Sequence, residues 1–338
     1  MSVVKSNAYG HGLVDFSKEM EKLGIDWLGV DSSLEALALR KAGIKKPILV
    51  LGYTPEENIL EVIKKNISVT VSSLEYLENL LRQNFPKIIK IHLKIDTGMH
   101  RQGFLPNELP KLLKVLKKKR KNFMIEGVYT HFANAKNPEE LSDTKKQFSL
   151  FKESIKIIEN AGLNPIKHAA ATGGSIIFPE SKMDMMRIGI GLYGLWPSEK
   201  IKEKFEKKIA LRPVMTWKTI ISEIKKIPKG EGIGYNFTAK TSRDSKIAIL
   251  PIGYWHGYNR LFSNKTKVEV RGKHAKILGT VSMDMAIIDV TDIRGVKTRD
   301  EVVLMGENIT ADNLAKIART VNYEIITRLN SRIKRIYL

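Results

Sequence analysis

Through the first two hundred residues, short unbroken apolar runs rich in Val and Ile alternate with amphipathic stretches. The runs are Ser2 to Lys5, Trp27 to Asp31, Pro47 to Gly52, Ser68 to Ser72, Ile91 to Asp96, Gly127 to Phe132, Ile166 to Thr172 and Met186 to Tyr193. Continuity rather than strict alternation predicts strands buried on both faces, as in a parallel sheet. Ser32-Ser33-Leu34-Glu35 and Ser72-Ser73-Leu74-Glu75 read as capping boxes that start two of the intervening helices, and Gly43 followed by Pro47 closes the first of them. Eight strands alternating with helices predict an α/β fold, a TIM-like (β/α)₈ barrel rather than an open doubly wound sheet. No G-x-G-x-x-G follows a strand and no Walker A motif is present. Beyond Pro197 the pattern changes to strand signals at Val214 to Ile224, Lys246 to Ile252, Lys267 to Val270 and Met285 to Val290, separated by Gly, Pro and Asp; helical spacing returns at Thr310 to Val321. We expect a barrel over residues 1–205 and a mostly β domain over 206–338.

A length of 338 residues accommodates two domains, and 43% hydrophobic with 28% charged residues is ordinary globular composition. The absence of cysteine removes disulfides, thiolate metal sites and cysteine nucleophiles, leaving Lys, His, Tyr, Asp, Glu or Ser for catalysis. No run reaches the roughly 18 apolar residues of a membrane span, and the first residues carry no secretion-signal core, so a cytoplasmic protein without membrane contact is expected. A net charge of +21 would attract polyanions. Its densest stretch, Lys111 to Lys121, reads as a solvated helix face with an apolar stripe, and with no basic tail or finger motif, specific nucleic-acid binding is not expected.

Reactive groups of a barrel sit where its strands end. The first strand ends in Lys5. A lysine there is either a surface residue near the chain start or an amine poised as a Schiff-base nucleophile.

The segment Val3-Val4-Lys5-Ser6-Asn7-Ala8-Tyr9-Gly10-His11-Gly12 resembles the pyridoxal-phosphate lysine motif of the alanine racemases. The resemblance continues in order. Lys94-Ile95-Asp96-Thr97-Gly98-Met99-His100-Arg101, Tyr129-Thr130-His131-Phe132-Ala133 and Arg187-Ile188-Gly189-Ile190 follow in the first domain, and Gly232-Ile233-Gly234-Tyr235, Gly253-Tyr254, Val281-Ser282-Met283-Asp284 and Asn322-Tyr323-Glu324 in the second. It implies a racemase interconverting L- and D-alanine through an external aldimine of pyridoxal 5'-phosphate, supplying D-alanine for the bacterial cell wall.

By that resemblance Lys5 carries the cofactor and serves one face of Cα, while Tyr235 serves the other. Tyr9, Thr172, Gly189, Ile190 and Tyr323 are implied to hold the phosphate, and Arg187 the pyridine nitrogen. A guanidinium there disfavours protonation of the ring, so the site relies on its two bases. An unperturbed phenol loses its proton near pH 10, so Tyr235 needs cationic help, for which His131 is the implied source. Arg101 and the Met283 N–H are implied to bind the substrate carboxylate, and Tyr254 to line the entrance. Lys94 matches a lysine carbamylated in many members. The family's tyrosine comes from a second subunit, which implies a homodimer with composite sites; no metal site is expected.

Three departures from the pattern bear on these expectations. Members carry a strand and helix ahead of the lysine motif, whereas four residues precede Lys5 here; the expectation is an exposed apolar patch and lower stability than an upstream-extended form. Ala171-Thr172 replaces Asn-Ser, and Trp255-His256 replaces Ala-Asp, which bears on substrate breadth. The rival readings are a cofactor-binding homeostasis protein without turnover, which resembles the barrel alone, a broad-specificity racemase, and a polyanion binder.

Overall fold

The computed structural model describes residues 1–118 and 123–338, so the last part of the basic stretch, residues 119–121, lies outside the described residues. The chain divides into two compact units, Met1–Ala8 with Gly12–Leu211 and Tyr9–His11 with Arg212–Leu338.

In the first unit, β1 (Ser2–Val3), β2 (Leu28–Val30), β3 (Ile48–Val50), β4 (Ser68–Val71), β5 (Ile89–Lys94), β6 (Phe123–Tyr129) and β7 (Ile166–His168) pair in sequence order, every pair parallel. Every residue of β2, β3 and β4 is buried, as their continuous apolar runs require when one sheet face meets helices and the other the barrel interior. Each fully buried Val, Leu or Ile contributes about 1.5–3 kcal/mol. The helices present apolar faces to the sheet; Leu74–Arg82, for example, buries Tyr76, Leu77 and Leu80 at helical spacing.

The eighth predicted strand, Met186 to Tyr193, is reduced to two parallel bridges. Arg187 pairs with Ala171 and Ile188 with Ser2, which closes the ring between the seventh strand's exit and β1. The chain then leaves as a 3₁₀ turn, Ile190–Tyr193, because Gly189 and Gly191 break the extended run. The predicted strand at Ile166 to Thr172 likewise stops at His168, and the first stops at Val3, two residues short of Lys5. Ser32 caps its helix as expected, whereas in the second serine pair Ser73, not Ser72, is the N-cap and accepts from Tyr76 N–H.

The second unit is a seven-stranded antiparallel sheet plus a small ribbon. Its strands are β8 (Trp217–Ile220), β9 (Glu223–Ile227), β10 (Gly232–Ile233), β11 (Ala239–Lys240), β12 (Ser245–Leu250), β13 (Lys267–Val270), β14 (Lys273–Leu278), β15 (Ala286–Asp289) and β16 (Glu301–Met305), and the helices Ala311–Ala318 and Asn322–Thr327 follow them. The large sheet runs β8-β16-β13-β14-β15-β12-β9, and β10 pairs with β11. The single strand expected at Val214 to Ile224 is two, since the chain changes partner between Ile221, bonded to Asp300, and Ser222, bonded to Ile249.

Candidate active site

Lys5 sits where the first strand has just ended, at the start of a turn in which Ser6, Asn7, Ala8 and Tyr9 all have φ between 50° and 57°. L-residues resist this left-handed conformation by roughly 1–2 kcal/mol each, so the turn needs external ties. Asn7 supplies them. Its Oδ1 accepts Leu13 N–H at 2.9 Å and its own N–H donates to Glu35 Oε1 at 3.2 Å. The other oxygen of Glu35 accepts Asp31 N–H at 3.0 Å, so the expected capping glutamate is diverted to join the ends of β1 and β2. That places Asp31 Oδ1 at 2.9 Å from Lys5 Nζ. Both side chains are partly exposed, so this ion pair is weak and readily exchanged for another partner.

Arg187 is buried, and its hydrogen-bond partners are all neutral. Its two terminal nitrogens donate to the carbonyls of Thr130, His168 and Ala169 at 2.6–2.8 Å, to His168 Nδ1 at 2.9 Å and to His131 Nδ1 at 3.3 Å. No carboxylate touches it, and Nε–H makes no hydrogen bond among the described residues. Burial pushes its pKa down to about 10, which leaves it a cation at neutral pH.

His131 lies beside Arg187, whose terminal nitrogen reaches its Nδ1. Burial, with Arg187, Arg101, Lys94 and Lys5 adding repulsion, pushes its pKa down to about 3, so the ring is neutral and cannot itself supply positive charge to a phenol. Because a guanidinium only donates, His131 Nδ1 accepts and the ring proton resides on Nε2.

Lys94, ending β5, donates to Gln102 Oε1 at 3.1 Å. Burial and the cations Arg101 and Arg187 lower its pKa to about 8. The loop that follows is shaped by Asp96, whose Oδ1 accepts the N–H groups of Gly98, Met99 and His100 at 2.9–3.0 Å; Arg101 follows directly and is exposed. Gly103, with φ at 136°, returns the chain so closely that a Cβ would lie 2.6 Å from Asp96 N.

Thr172 and the Gly189–Gly191 turn form a cradle. Thr172 Oγ1 accepts Gly189 N–H at 3.1 Å and Gly191 N–H at 3.4 Å, so two amides converge on this hydroxyl oxygen and fix it against the turn. Ile190 is the buried residue between them.

In the second unit, Tyr9 and Tyr323 come together with ring centroids 6.1 Å apart, and burial raises the Tyr323 phenol far above its usual range. Tyr235, Tyr254 and Met283 line one cavity of about 860 Å³. Tyr235 stands in a strained turn after Gly234 and is 70% exposed.

Two participants escaped the sequence reading. Asp31 directly follows β2 and His168 ends β7, and the strand-end rule that selected Lys5 applies equally to both.

A parallel barrel whose strand ends and adjoining loops carry Lys5, Lys94, Arg101 and Arg187 beside the carboxylates Asp31 and Asp96, continued in the same chain by an antiparallel β unit, defines a two-domain barrel enzyme with a surplus of positive charge at these positions. The comparisons with known proteins say which one. Residues 1–197 match the alanine racemase N-terminal domain and residues 214–337 the alanine racemase C-terminal domain. The alanine racemase of Methanococcus maripaludis is 41% identical over 347 aligned residues, covering 100% of this chain and 91% of that one. The solved alanine racemase of Clostridium difficile superposes with a TM-score of 0.94 at 35% identity, over 100% of this chain and 88% of that one. That of Bacillus anthracis, crystallised with bound L-Ala-P, gives 0.92 at 35% identity over 98% and 86%. The chain belongs to the alanine racemase family.

Proposed function

We propose that this chain interconverts L-alanine and D-alanine with pyridoxal 5'-phosphate as its cofactor, and that the α-proton is exchanged by Lys5 on one face of the substrate and by Tyr235 of the partner subunit on the other. The observation that carries this reading is the guanidinium of Arg187, fixed by neutral acceptors and keeping its Nε–H without a partner among the described residues. Such a donor suits an unprotonated pyridine nitrogen. The donor set fits the rest of the cofactor. The hydroxyl of Thr172, fixed by the amides of Gly189 and Gly191, together with the Gly189–Ile190 turn suits a phosphate, with Tyr9 and Tyr323 as further hydroxyl donors, and Lys5 offers the amine.

When bound, pyridoxal phosphate draws electrons from an attached amino acid and so acidifies its α-proton. The protein's own groups then do four things. Lys5, held by Asp31 until another partner takes it, accepts or returns the proton on its face. Tyr235 does so on the opposite face; the fixed positive charge that favours its phenolate comes from Arg187 through the neutral His131. Arg101 and the Met283 N–H pair with the substrate carboxylate. Lys94, with its pKa near 8, keeps a neutral fraction able to add carbon dioxide with release of one N–H proton to solvent, and the resulting carbamate would orient Arg101. The Bacillus anthracis relative holds L-Ala-P, which supports an alanine-sized substrate.

The exposed Tyr235, Tyr254 and Met283 around one cavity support a homodimer, since apolar side chains grouped on a surface mark an interaction site. The deciding experiment follows the α-proton of L-alanine in deuterated water by NMR, with the purified protein supplied with cofactor. Exchange at Cα, yellow colour, and loss of both in Lys5→Ala are expected. A colourless protein, or a yellow one that leaves Cα protonated, overturns the assignment.

A further inference from the structure

A line of polar side chains runs from Arg187 through the barrel interior to a carboxylate on the opposite side of two imidazoles. Arg187 donates to His168 Nδ1 at 2.9 Å, His168 Nε2 lies 2.9 Å from His92 Nδ1, and His92 Nε2 lies 3.5 Å from Glu126 Oε2. Both rings are fully buried, and among the described residues His92 Nε2 has no closer polar partner. We propose that Glu126 is a positioning residue for Arg187, acting through His92 and His168 to keep the guanidinium in the orientation that leaves its Nε–H directed at the ligand.

The direction of the chain follows from chemistry. A guanidinium has no acceptor, so His168 Nδ1 must accept and its proton must sit on Nε2. His92 Nδ1 must then accept, which puts its own proton on Nε2, facing a carboxylate that only accepts. Every proton therefore points away from Arg187 and toward Glu126. The reverse order would set an N–H of His168 against an N–H of Arg187.

The backbone is shaped to allow this. Along β5 and β6, Ile91 pairs with Ile125 but His92 pairs with Gly127, so Glu126 is the extra residue of a bulge that redirects its side chain. At Gly127 a Cβ would lie 2.2 Å from His92 Nδ1, so only glycine lets the ring occupy its place. Ser68 Oγ donates to Glu126, and Lys90 Nζ lies 3.7 Å away, which keeps the carboxylate charged and fixed. Tyr129 stacks on His168 with centroids 4.8 Å apart, and Trp27 meets His92 edge-on at 5.3 Å, which sets both ring planes.

The role in turnover rests on the racemase reading above, whereas the proton order does not, and the test separates the two. Histidine ring nitrogens are read by NMR in ¹⁵N-histidine-labelled full-length protein, first in the parent and then in Glu126→Gln. The parent should show His92 and His168 as neutral rings protonated on Nε2. A His168 ring protonated on Nδ1, or a charged ring, overturns the proposal without need of any variant. In Glu126→Gln the terminal amide can donate as well as accept, so a second tautomer of both rings should appear. Its kcat for alanine should fall roughly tenfold at nearly unchanged KM, and Glu126→Asp should restore part of the loss. Unchanged rings and unchanged kcat in Glu126→Gln overturn the proposal. The expected ring pattern in a parent protein that leaves alanine Cα protonated would uphold the proton order and defeat the racemase reading.

Discussion

Arg187 brings a full positive charge into the barrel without an adjacent carboxylate, and its neighbours absorb the consequence. A histidine in its field that is also buried does not protonate, which is why the pKa of His131 lies near 3. This links stability to pH with a definite sign. Unfolded His131 takes up a proton below about pH 6.5 that the folded residue does not, so its contribution is complete above that value and is lost as pH falls toward 3. At pH 5 the loss is about 2 kcal/mol. Urea denaturation at pH 7 and pH 5 should therefore show a drop in stability that His131→Gln reduces by about that amount. Equal drops in the two proteins would mean that the imidazole is hydrated, and the neutral relay to Tyr235 would fall with it.

The elements that carry this chemistry are short, and their loops decide where each group points. At the cradle a Cβ on Gly191 would meet Thr172 Cγ2 at 2.8 Å. Thr172 can escape only by rotating χ1, which takes Oγ1 from both amides, or by moving the turn. Gly191→Ala should consequently weaken cofactor affinity by roughly tenfold, about 1.4 kcal/mol, in an absorbance titration, with a folded protein by circular dichroism. Undiminished affinity would show that the phosphate is held elsewhere. The same scale shows what the sequence made legible. Fully buried strands such as Ile48–Val50 leave uninterrupted apolar runs and were readable, as was Lys5 at the end of the first run, whereas Arg187 was reached only through the family resemblance. Lys273–Leu278 was not readable, because in Lys-His-Ala-Lys-Ile-Leu the exposed face carries charge and few apolar residues remain to mark it. The eighth run, Met186 to Tyr193, was readable as the closing segment but not as what it is, two bridges instead of a ladder. The Glu126 bulge leaves no local signal at all, since a one-residue slip between β5 and β6 is settled only when the strands pair.

For the whole molecule, the proposed division of labour between subunits has a countable consequence. If Lys5 of one chain works with Tyr235 of the partner subunit, then Lys5→Ala and Tyr235→Phe each disable both sites of their own homodimer. A mixed dimer is different. One of its sites combines the intact lysine of one chain with the intact tyrosine of the other, and its second site carries both substitutions. Random exchange of equal amounts makes half the dimers mixed, each with one working site of two, so about a quarter of the parental activity should return. The measurement is the racemisation rate of the two inactive proteins before and after mixing and reassociation, beside a size-exclusion profile confirming dimers. Exposure of Tyr235 on the second unit's surface makes this outcome expected, because a phenol so open to water has no enclosed site of its own among the residues lining that cavity. No recovery from well-folded mixed dimers would place both bases in one chain, and the interface would then have to be explained by stability alone.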